Sequence, residues 1–145
     1  MSKYESAELI LKLYDLRREK KMRKARNWLF TFEPESADHI LQTMMHPEDG
    51  PYFRMVTSYW DMAAALVNHG AIDAEMFRET AGEYLFVFAK LKPFLQEIRE
   101  KLQNPDAYKH LETFIMGDEK TRQRLEQVIE WLQQLKAQKA EAATK

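Results

Sequence analysis

The stretch DAEMFRETAGEYLFVFAKLKPFLQEIREKL, residues 73–102, decides the fold that the sequence predicts. Its apolar residues recur alternately three and four positions apart, which is the spacing of one face of an α-helix. Pro93 removes one backbone hydrogen bond, but the apolar period continues beyond it, so we expect a kink there and not an end. The stretch therefore predicts a long central helix over about residues 73–103. Its apolar face consists of Phe77, Ala81, Leu85, Phe88, Leu91, Leu95, Ile98 and Leu102.

The composition favours a single all-α domain. The chain has 145 residues, of which 45% are hydrophobic and 31% charged, and it contains only four Gly and five Pro. Such a chain is too apolar for disorder and too poor in turn residues for most β architectures. We therefore predict a single-domain antiparallel bundle of five to six helices over residues 1–145, with a frayed polar tail at 137–145.

Capping residues mark where the other helices begin. Ser6, Ser36 and Asp118 each precede a helical pattern and are predicted N-caps, as is Asp73 for the central helix. Asn104 followed by Pro105 predicts the start of a further short helix, because Pro suits the first helical position.

Several classes of site are excluded or disfavoured. The chain has no Cys, which excludes disulfides, thiolate nucleophiles and Cys-ligated metals. It lacks the Glu-x-x-His spacing of di-iron bundles, a Gly-rich phosphate loop and a nucleophile motif, so we expect a non-enzyme without catalytic residues, cofactor or metal. Charged residues interrupt the first twelve positions, and no apolar run reaches the roughly 18 residues of a membrane span, so we expect a cytoplasmic protein.

Charge is distributed unevenly along the chain. Residues 1–30 carry a net charge of +5, residues 31–89 of −8 and residues 90–145 of +2. The basic segment, RREKKMRKAR at 17–26, holds cations that point in nearly every direction around a helix. It is a candidate contact for the acidic surface of its own or a second subunit, with nucleic acid or solvent alone as alternatives. The cations are Arg17, Arg18, Lys20, Lys21, Arg23, Lys24 and Arg26.

Asp61 lies in SYWDMAAALV, residues 58–67, between aromatic and aliphatic neighbours on a helix that should be largely buried. Either its carboxylate faces outward into solvent with Thr57, Ala65 and Asn68, or Trp60 and Asp61 line a pocket for a small molecule. Counting back from the turn at Gly70 places Trp60 opposite Gly82. The missing side chain of Gly82 would let the indole lie against the backbone of the central helix.

The last predicted helix has a wider apolar face than a bundle requires. Leu125, Val128, Leu132 and Leu135 form a seam toward the core, and Ile129 and Trp131 lie beside it. Apolar surface that is left exposed tends to find a partner, so Ile129 and Trp131 predict an association surface and a homodimer.

Residues 56–99 resemble a bacterial family of short all-helical domains known only as a domain of unknown function. The aromatic and acidic pair Trp60 and Asp61 precedes an Ala-rich apolar run, although family members usually carry Glu where this chain has Asp61. Similar N-terminal residues extend the resemblance to residues 6–103, and it implies a helical fold and a bacterial origin but no reaction. The other similar positions are Leu16, Arg17, Arg23, Ala25, Arg26, Leu66, Val67, Gly70, Ile72, Asp73, Gly82, Leu91, Lys92, Pro93 and Arg99.

Three functional hypotheses follow from the sequence. The leading one is a non-catalytic helical module that acts through protein contacts, as a homodimer or with an unknown protein partner. The alternative is a small-molecule-binding bundle with its pocket at Trp60 and Asp61, which a large closed cavity would favour and a fully packed core would contradict. The second alternative is weak nucleic-acid binding through residues 17–26, which requires an affinity that falls steeply with salt.

Overall fold

A computed structural model describes residues 2–144 and shows α-helices joined by short turns, with no strand in that range. The prediction of an all-α protein is therefore confirmed. None of the helices between residues 2 and 144 has both the length and the hydropathy needed to cross a membrane. The helices are α1 (Lys3–Arg17), α2 (Lys20–Thr31), α3 (Ala37–Met45), α4 (Asp49–Asn68), α5 (Ala74–Thr80), α6 (Glu83–Leu91), α7 (Leu95–Leu102), α8 (Lys109–Met116) and α9 (Glu119–Ala143).

Helix α4 lies at the centre of the fold. Helices α2, α3 and α8 pack most extensively against it, and α5 and α6 also contact it. Phe53, Val56, Trp60 and Ala63 of α4 are almost fully buried as a result. Helix α9 lies outside this centre and packs against α6 and α8. The helix that the others surround is therefore α4, and not the stretch that the sequence predicted.

The predicted long helix over residues 73–103 is wrong because two breaks divide it. The backbone at Ala81 is extended, with φ −129° and ψ 152°, and Gly82 then occupies the N-cap position of α6. A 3₁₀ turn, Lys92–Phe94, separates α6 from α7 around Pro93, which lacks the N–H that a continuous helix would use. The apolar period passes through both breaks, so periodicity alone does not reveal them. The chain consequently forms more helices than the predicted five to six.

Helix α1 starts earlier than predicted and is tied to two other elements. Its N-cap is Ser2, whose hydroxyl accepts a hydrogen bond from the backbone N–H of Glu5 at 3.1 Å. Ser6, the predicted cap, is buried instead and accepts a hydrogen bond from the N–H of Asp73 at 3.0 Å. The hydroxyl of Tyr59 on α4 donates to the carbonyl oxygen of Leu13, and burial raises the pKa of Tyr59 to about 12.

Local capping signals elsewhere predict helix starts correctly. Ser36, Asp73 and Asp118 each occupy an N-cap position and accept a hydrogen bond from the third residue that follows. Gly70 has φ +81°, the left-handed conformation that the turn after α4 requires. These features depend on neighbouring residues alone, so the sequence is sufficient to predict them.

The segment between α7 and α8 differs from the prediction, because Asn104 and Pro105 do not begin a helix. Gln103 and Tyr108 have φ of 53° and 58°, and these left-handed residues end α7 and precede α8. The side chain of Asn104 instead accepts a hydrogen bond from the N–H of Asp106 at 3.1 Å within a turn. Helix α8 begins only at Lys109, and Tyr108 at its N-cap position makes no side-chain capping bond.

The structure describes the C-terminal segment from residue 137 as far as Thr144, and the fraying of this polar tail stays a prediction. Helix α9 continues to Ala143, although the side chains of its last turns are exposed. An ion pair between Lys139 and Glu33, with Nζ and Oε1 3.1 Å apart, holds this end of α9 near the chain that follows α2. Met1 and Lys145, which the single-domain prediction over 1–145 includes, lie outside the described residues.

Candidate functional site

Trp60 lies in the core, 1% exposed, within a cluster of aromatic rings. Its ring centroid is 4.9 Å from that of Tyr59 and 6.2 Å from that of Tyr84. The cavity beside it, lined also by Leu13 and Phe77, has a volume of about 20 Å³. A space of that size holds about one water molecule. The predicted small-molecule pocket at Trp60 is therefore wrong.

Asp61 is half-buried on α4 and caps the start of a different helix. Its carboxylate accepts a hydrogen bond from the backbone N–H of Leu111 at 3.0 Å. Leu111 lies in the first turn of α8, where N–H groups have no partner within the helix and negative charge is favoured. Because Tyr108 provides no cap, Asp61 supplies from α4 the acceptor that α8 lacks. The carboxylate therefore neither faces solvent freely nor lines a pocket with Trp60.

Two further hydrogen bonds connect the same face of α4 to α8. The hydroxyl of Tyr108 donates to the hydroxyl of Thr57 at 3.2 Å, and the carboxamide of Asn68 donates to the carbonyl oxygen of His110 at 3.0 Å. Thr57 and Asn68 were expected to face outward with Asp61. This side of α4 is instead the surface on which α8 docks.

The cations of the basic segment divide into two groups. The guanidinium of Arg17 lies 4.8 Å from the ring centroid of Tyr14 and 5.5 Å from that of Trp60. Arg26 forms an ion pair with Glu83, with Nε and Oε2 2.8 Å apart. Glu83 belongs to the acidic middle of the chain, so a contact between the two regions exists within this subunit. The exposed cations are Arg18, Lys20, Lys21, Arg23 and Lys24.

Three aromatic rings from different helices form an aromatic ridge: Phe30 of α2, Phe86 of α6 and Trp131 of α9. The rings of Phe86 and Trp131 meet edge to face with centroids 5.8 Å apart, and Phe30 lies 6.1 Å from Phe86. Phe30 is 52% exposed and Trp131 44% exposed, whereas Ile129 is half-buried against the core. The predicted exposed apolar surface on the last helix thus includes Trp131, together with two rings that the sequence analysis missed.

An open depression of about 350 Å³ lies beside the ridge, where α6 meets α9. A Cβ at Gly82 would have one neighbour within 4 Å, the Nη2 atom of Arg124 at 3.8 Å. The predicted contact between Gly82 and Trp60 is therefore wrong, because this glycine leaves open space toward α9. The depression is lined by Gly82, Leu85, Phe86, Arg124, Gln127, Val128 and Trp131.

A larger groove, which we call the lysine groove, lies between the end of α2, α6 and α9 and has a volume of about 440 Å³. Apolar side chains form most of its walls, and the charged groups are Glu33, Lys90, Lys136 and Lys139. Mostly apolar walls with few polar groups are typical of small-molecule sites. The apolar lining includes Phe30, Pro34, Ala89, Pro93, Phe94, Ile129, Leu132 and Leu135.

Lys90 is the unusual residue of the lysine groove, because its side chain is only 9% exposed. Its ammonium donates hydrogen bonds to the carbonyl oxygens of Phe32 at 2.6 Å and Phe30 at 3.3 Å. Both carbonyls lie at the C-terminal end of α2, where carbonyl groups lack partners within the helix and positive charge is favoured. The pKa of Lys90 is lowered to about 8, chiefly by burial, with Glu33 acting to raise it and Lys139 to lower it.

The sequence around Lys90 contains one signal that sets this lysine apart. Lys90 follows the run YLFVFA, residues 84–89, which is apolar on every side. A lysine that continues so apolar a run must either extend its ammonium to the surface or bury it against oxygen acceptors. Only the position of α2 decides between these outcomes. Between residues 2 and 144, no three acidic or His side chains form a group that could hold a metal ion.

A family model described as a domain of unknown function, DUF4760, matches residues 4–117. The match begins within α1 and ends at Gly117, so it includes Asp61 and Lys90 but leaves α9 outside. Neither the comparison with curated proteins nor the comparison with solved structures gives a match. The α9 side of the aromatic ridge and of the lysine groove thus lies beyond the matched residues.

Replacing Asp61 should reveal its role as the cap of α8. Asp61→Ala removes the acceptor for the Leu111 N–H, and we expect it to lower the free energy of unfolding by about 1 kcal/mol. Asp61→Asn keeps a side-chain oxygen and should retain most of the stability. Urea unfolding followed by circular dichroism measures both variants. Equal stabilities for the wild type and Asp61→Ala would contradict the capping role.

The buried ammonium of Lys90 should affect stability above neutral pH. Its pKa of about 8 in the folded protein is below its ordinary value of 10.5, so the folded state releases this proton before the unfolded state does. Between those values, rising pH therefore increases the contribution of Lys90 to stability, whereas below pH 8 the buried charge opposes folding. From pH 7 to pH 10, the stability of the wild type should rise by about 2 kcal/mol relative to Lys90→Met.

Urea unfolding of both proteins at the two pH values tests this expectation. Carbon-13 NMR of the lysine side chains supplies an independent measurement, in which one lysine should titrate near pH 8. A difference in stability that stays constant with pH, together with ordinary titration of every lysine, would show that the ammonium is not desolvated.

Proposed function

The chain belongs to the DUF4760 family, a domain of unknown function, and we propose that it acts as a non-catalytic helical module that binds a second copy of itself. The observation that carries this proposal is the aromatic ridge beside an open depression. Phe30 and Trp131 expose about half of their surface next to each other on the outside of the molecule. Covering such apolar surface is favourable in proportion to the area removed from water.

The arrangement of the ridge suits a dimer with two-fold symmetry. In such a dimer the same patch of each copy faces the other, so one patch must provide both the protruding and the receiving surface. Trp131 is an exposed ring of the ridge, and it borders the depression of about 350 Å³ that Gly82, Leu85 and Val128 also line. We infer that Trp131 of each copy enters the depression of the other. Trp is among the residues whose truncation most often weakens an interface.

Helix α1 has a second exposed apolar surface, but the cavity beside it is much smaller than the depression beside α9. Tyr4, Leu11, Tyr14 and Leu16 of this helix are exposed. The cavity beside α1, which Tyr14 lines, has a volume of about 20 Å³. It is too small to receive a side chain from a second copy. The exposed ring of Trp131 and the open depression occur together on the α9 face, so we place the interface there. The α1 surface serves as the matched control.

Nucleic-acid binding through residues 17–26 has less support than self-association. Arg17 and Arg26 are engaged within the subunit, by the aromatic rings of Tyr14 and Trp60 and by Glu83. The chain carries a net charge of −1, which does not attract phosphates over a distance. Gel shifts at low salt distinguish this alternative, because phosphate contacts give an affinity that falls steeply as salt is added.

Two substitutions on opposite sides of the inferred contact should each weaken the dimer. Trp131→Glu removes the protruding ring, and Gly82→Leu fills the depression that receives it. We expect each to raise the dimer dissociation constant about tenfold or more, measured by sedimentation over a range of protein concentrations. The space around Gly82 is open in the subunit, so Gly82→Leu should cost about 1 kcal/mol of stability or less, from the poorer N-cap.

Leu11→Glu is the control for this experiment, because it places the same charge on the other exposed apolar surface. It should leave the dimer intact, and circular dichroism should show the same helix content in all the variants. A wild-type protein that remains monomeric at high micromolar concentration contradicts the proposal. A dimer that Leu11→Glu dissociates and Trp131→Glu does not would place the interface on α1.

A further inference from the structure

The lysine groove has the size and lining of a ligand site, and Phe30 is the one residue of the aromatic ridge that also lines it. Its volume of about 440 Å³ lies within the range of roughly 300–1,000 Å³ that small-molecule sites occupy. Phe94, Leu132 and Leu135 contribute apolar walls from two sides, and the polar groups are few. Gly82 and Trp131, which define the dimer contact, do not line it.

The charges around the groove favour an anion. Three lysines, Lys90, Lys136 and Lys139, are among the residues that line it, together with one acidic residue, Glu33. Glu33 and Lys139 form an ion pair with each other at 3.1 Å. Within residues 2–144, Lys90 and Lys136 form no ion pair with a carboxylate, so the groove keeps an excess of positive charge.

Lys90 has one hydrogen-bond donor left as well as a charge. An ammonium has three N–H donors, and the carbonyl oxygens of Phe30 and Phe32 accept from two of them. Buried charges in proteins are normally paired with an opposite charge, whereas these partners are neutral. A carboxylate in the groove would supply the counter-charge and accept the remaining hydrogen bond.

We propose that the lysine groove binds an apolar monocarboxylate, such as a medium-chain fatty acid, with its carboxylate at Lys90 and Lys136. The aliphatic part lies against Phe94, Leu132 and Leu135, where burial of the chain contributes to affinity. The carboxylate of the ligand requires the lysines, and its aliphatic chain requires the apolar walls of the groove. Acetate has the carboxylate without the long aliphatic chain, and dodecanol has the chain without the carboxylate. Neither should therefore bind as well as dodecanoate.

The ionisation of Lys90 makes the expected binding depend on pH. The titratable groups that line the groove with it are Glu33, Lys136 and Lys139. Burial is the main cause that lowers the pKa of Lys90 to about 8, while Glu33 acts to raise this pKa and Lys139 to lower it. A carboxylate bound beside the ammonium stabilises its charged form and raises this pKa, so the protein takes up protons on binding near pH 8. Affinity should therefore fall as the pH rises above 8.

Isothermal titration calorimetry with dodecanoate, below the concentration at which it forms micelles, tests the proposal on the whole protein. At pH 7 we expect saturable binding, with dodecanol and acetate weaker by about tenfold or more. At pH 9.5 the affinity for dodecanoate should be lower than at pH 7. Titrations at pH 8 in buffers of different ionisation enthalpy should show the proton uptake directly.

Lysine substitutions identify where the carboxylate binds. Lys90→Met and Lys136→Met should each weaken dodecanoate binding about tenfold. Lys120→Met, on the same helix as Lys136 but outside the groove, should leave it unchanged. Lys136 is exposed, so its replacement tests the site even where Lys90→Met reduces stability through loss of the bonds to α2. In the wild type, the carbon-13 NMR signal of Lys90 should move on titration with dodecanoate.

Several outcomes would overturn the proposal. Absence of dodecanoate binding up to its solubility limit is one, and equal affinities for dodecanoate and dodecanol is another, because the latter would show a neutral apolar occupant. Unchanged binding by both Lys90→Met and Lys136→Met would also contradict it. The same titration in Gly82→Leu separates this site from the dimer contact, because a monomeric variant should still bind dodecanoate.

Discussion

The enclosure of α4 by its neighbours is the constraint on which the rest of the structure depends. Helices α2, α3 and α8 all pack against it, so its apolar residues contact partners in several directions. A helix enclosed in this way must also satisfy the polar groups at its contacts. Asp61 does so for α8, whose first turn lacks a cap of its own, and Thr57 and Asn68 add hydrogen bonds on the same face. The position of α8 therefore depends on side chains of α4.

Lys90 is a second case in which one side chain satisfies two requirements. Its ammonium caps the C-terminal carbonyls of α2, which connects α2 to α6. The desolvation that this position imposes lowers the pKa of the amine. The same position adds a positive charge to a groove whose walls are mostly apolar. The contact that joins the two helices thus creates the electrostatic feature on which the proposed ligand site is based.

Helix α9 connects the core to the surface features. Leu125 is buried, so the helix completes the core against α6 and α8. Further along the same helix, Trp131 joins the aromatic ridge, and Leu132, Leu135 and Lys136 form a wall of the lysine groove. The family match ends before this helix, at residue 117. The matched domain therefore supplies only one side of each surface feature, and α9 supplies the other.

The sequence by itself determined the features that depend on neighbouring residues. Helical periodicity predicted the all-α class, and the caps at Ser36, Asp73 and Asp118 were predicted from single side chains that bond three residues ahead. The tertiary structure decided the features that depend on distant residues. The hydrogen bond of Asp61 joins residues 50 apart in the chain, and that of Lys90 to Phe32 joins residues 58 apart. Periodicity carries no information about such contacts, because it records which face of a helix is apolar and not which helix covers that face.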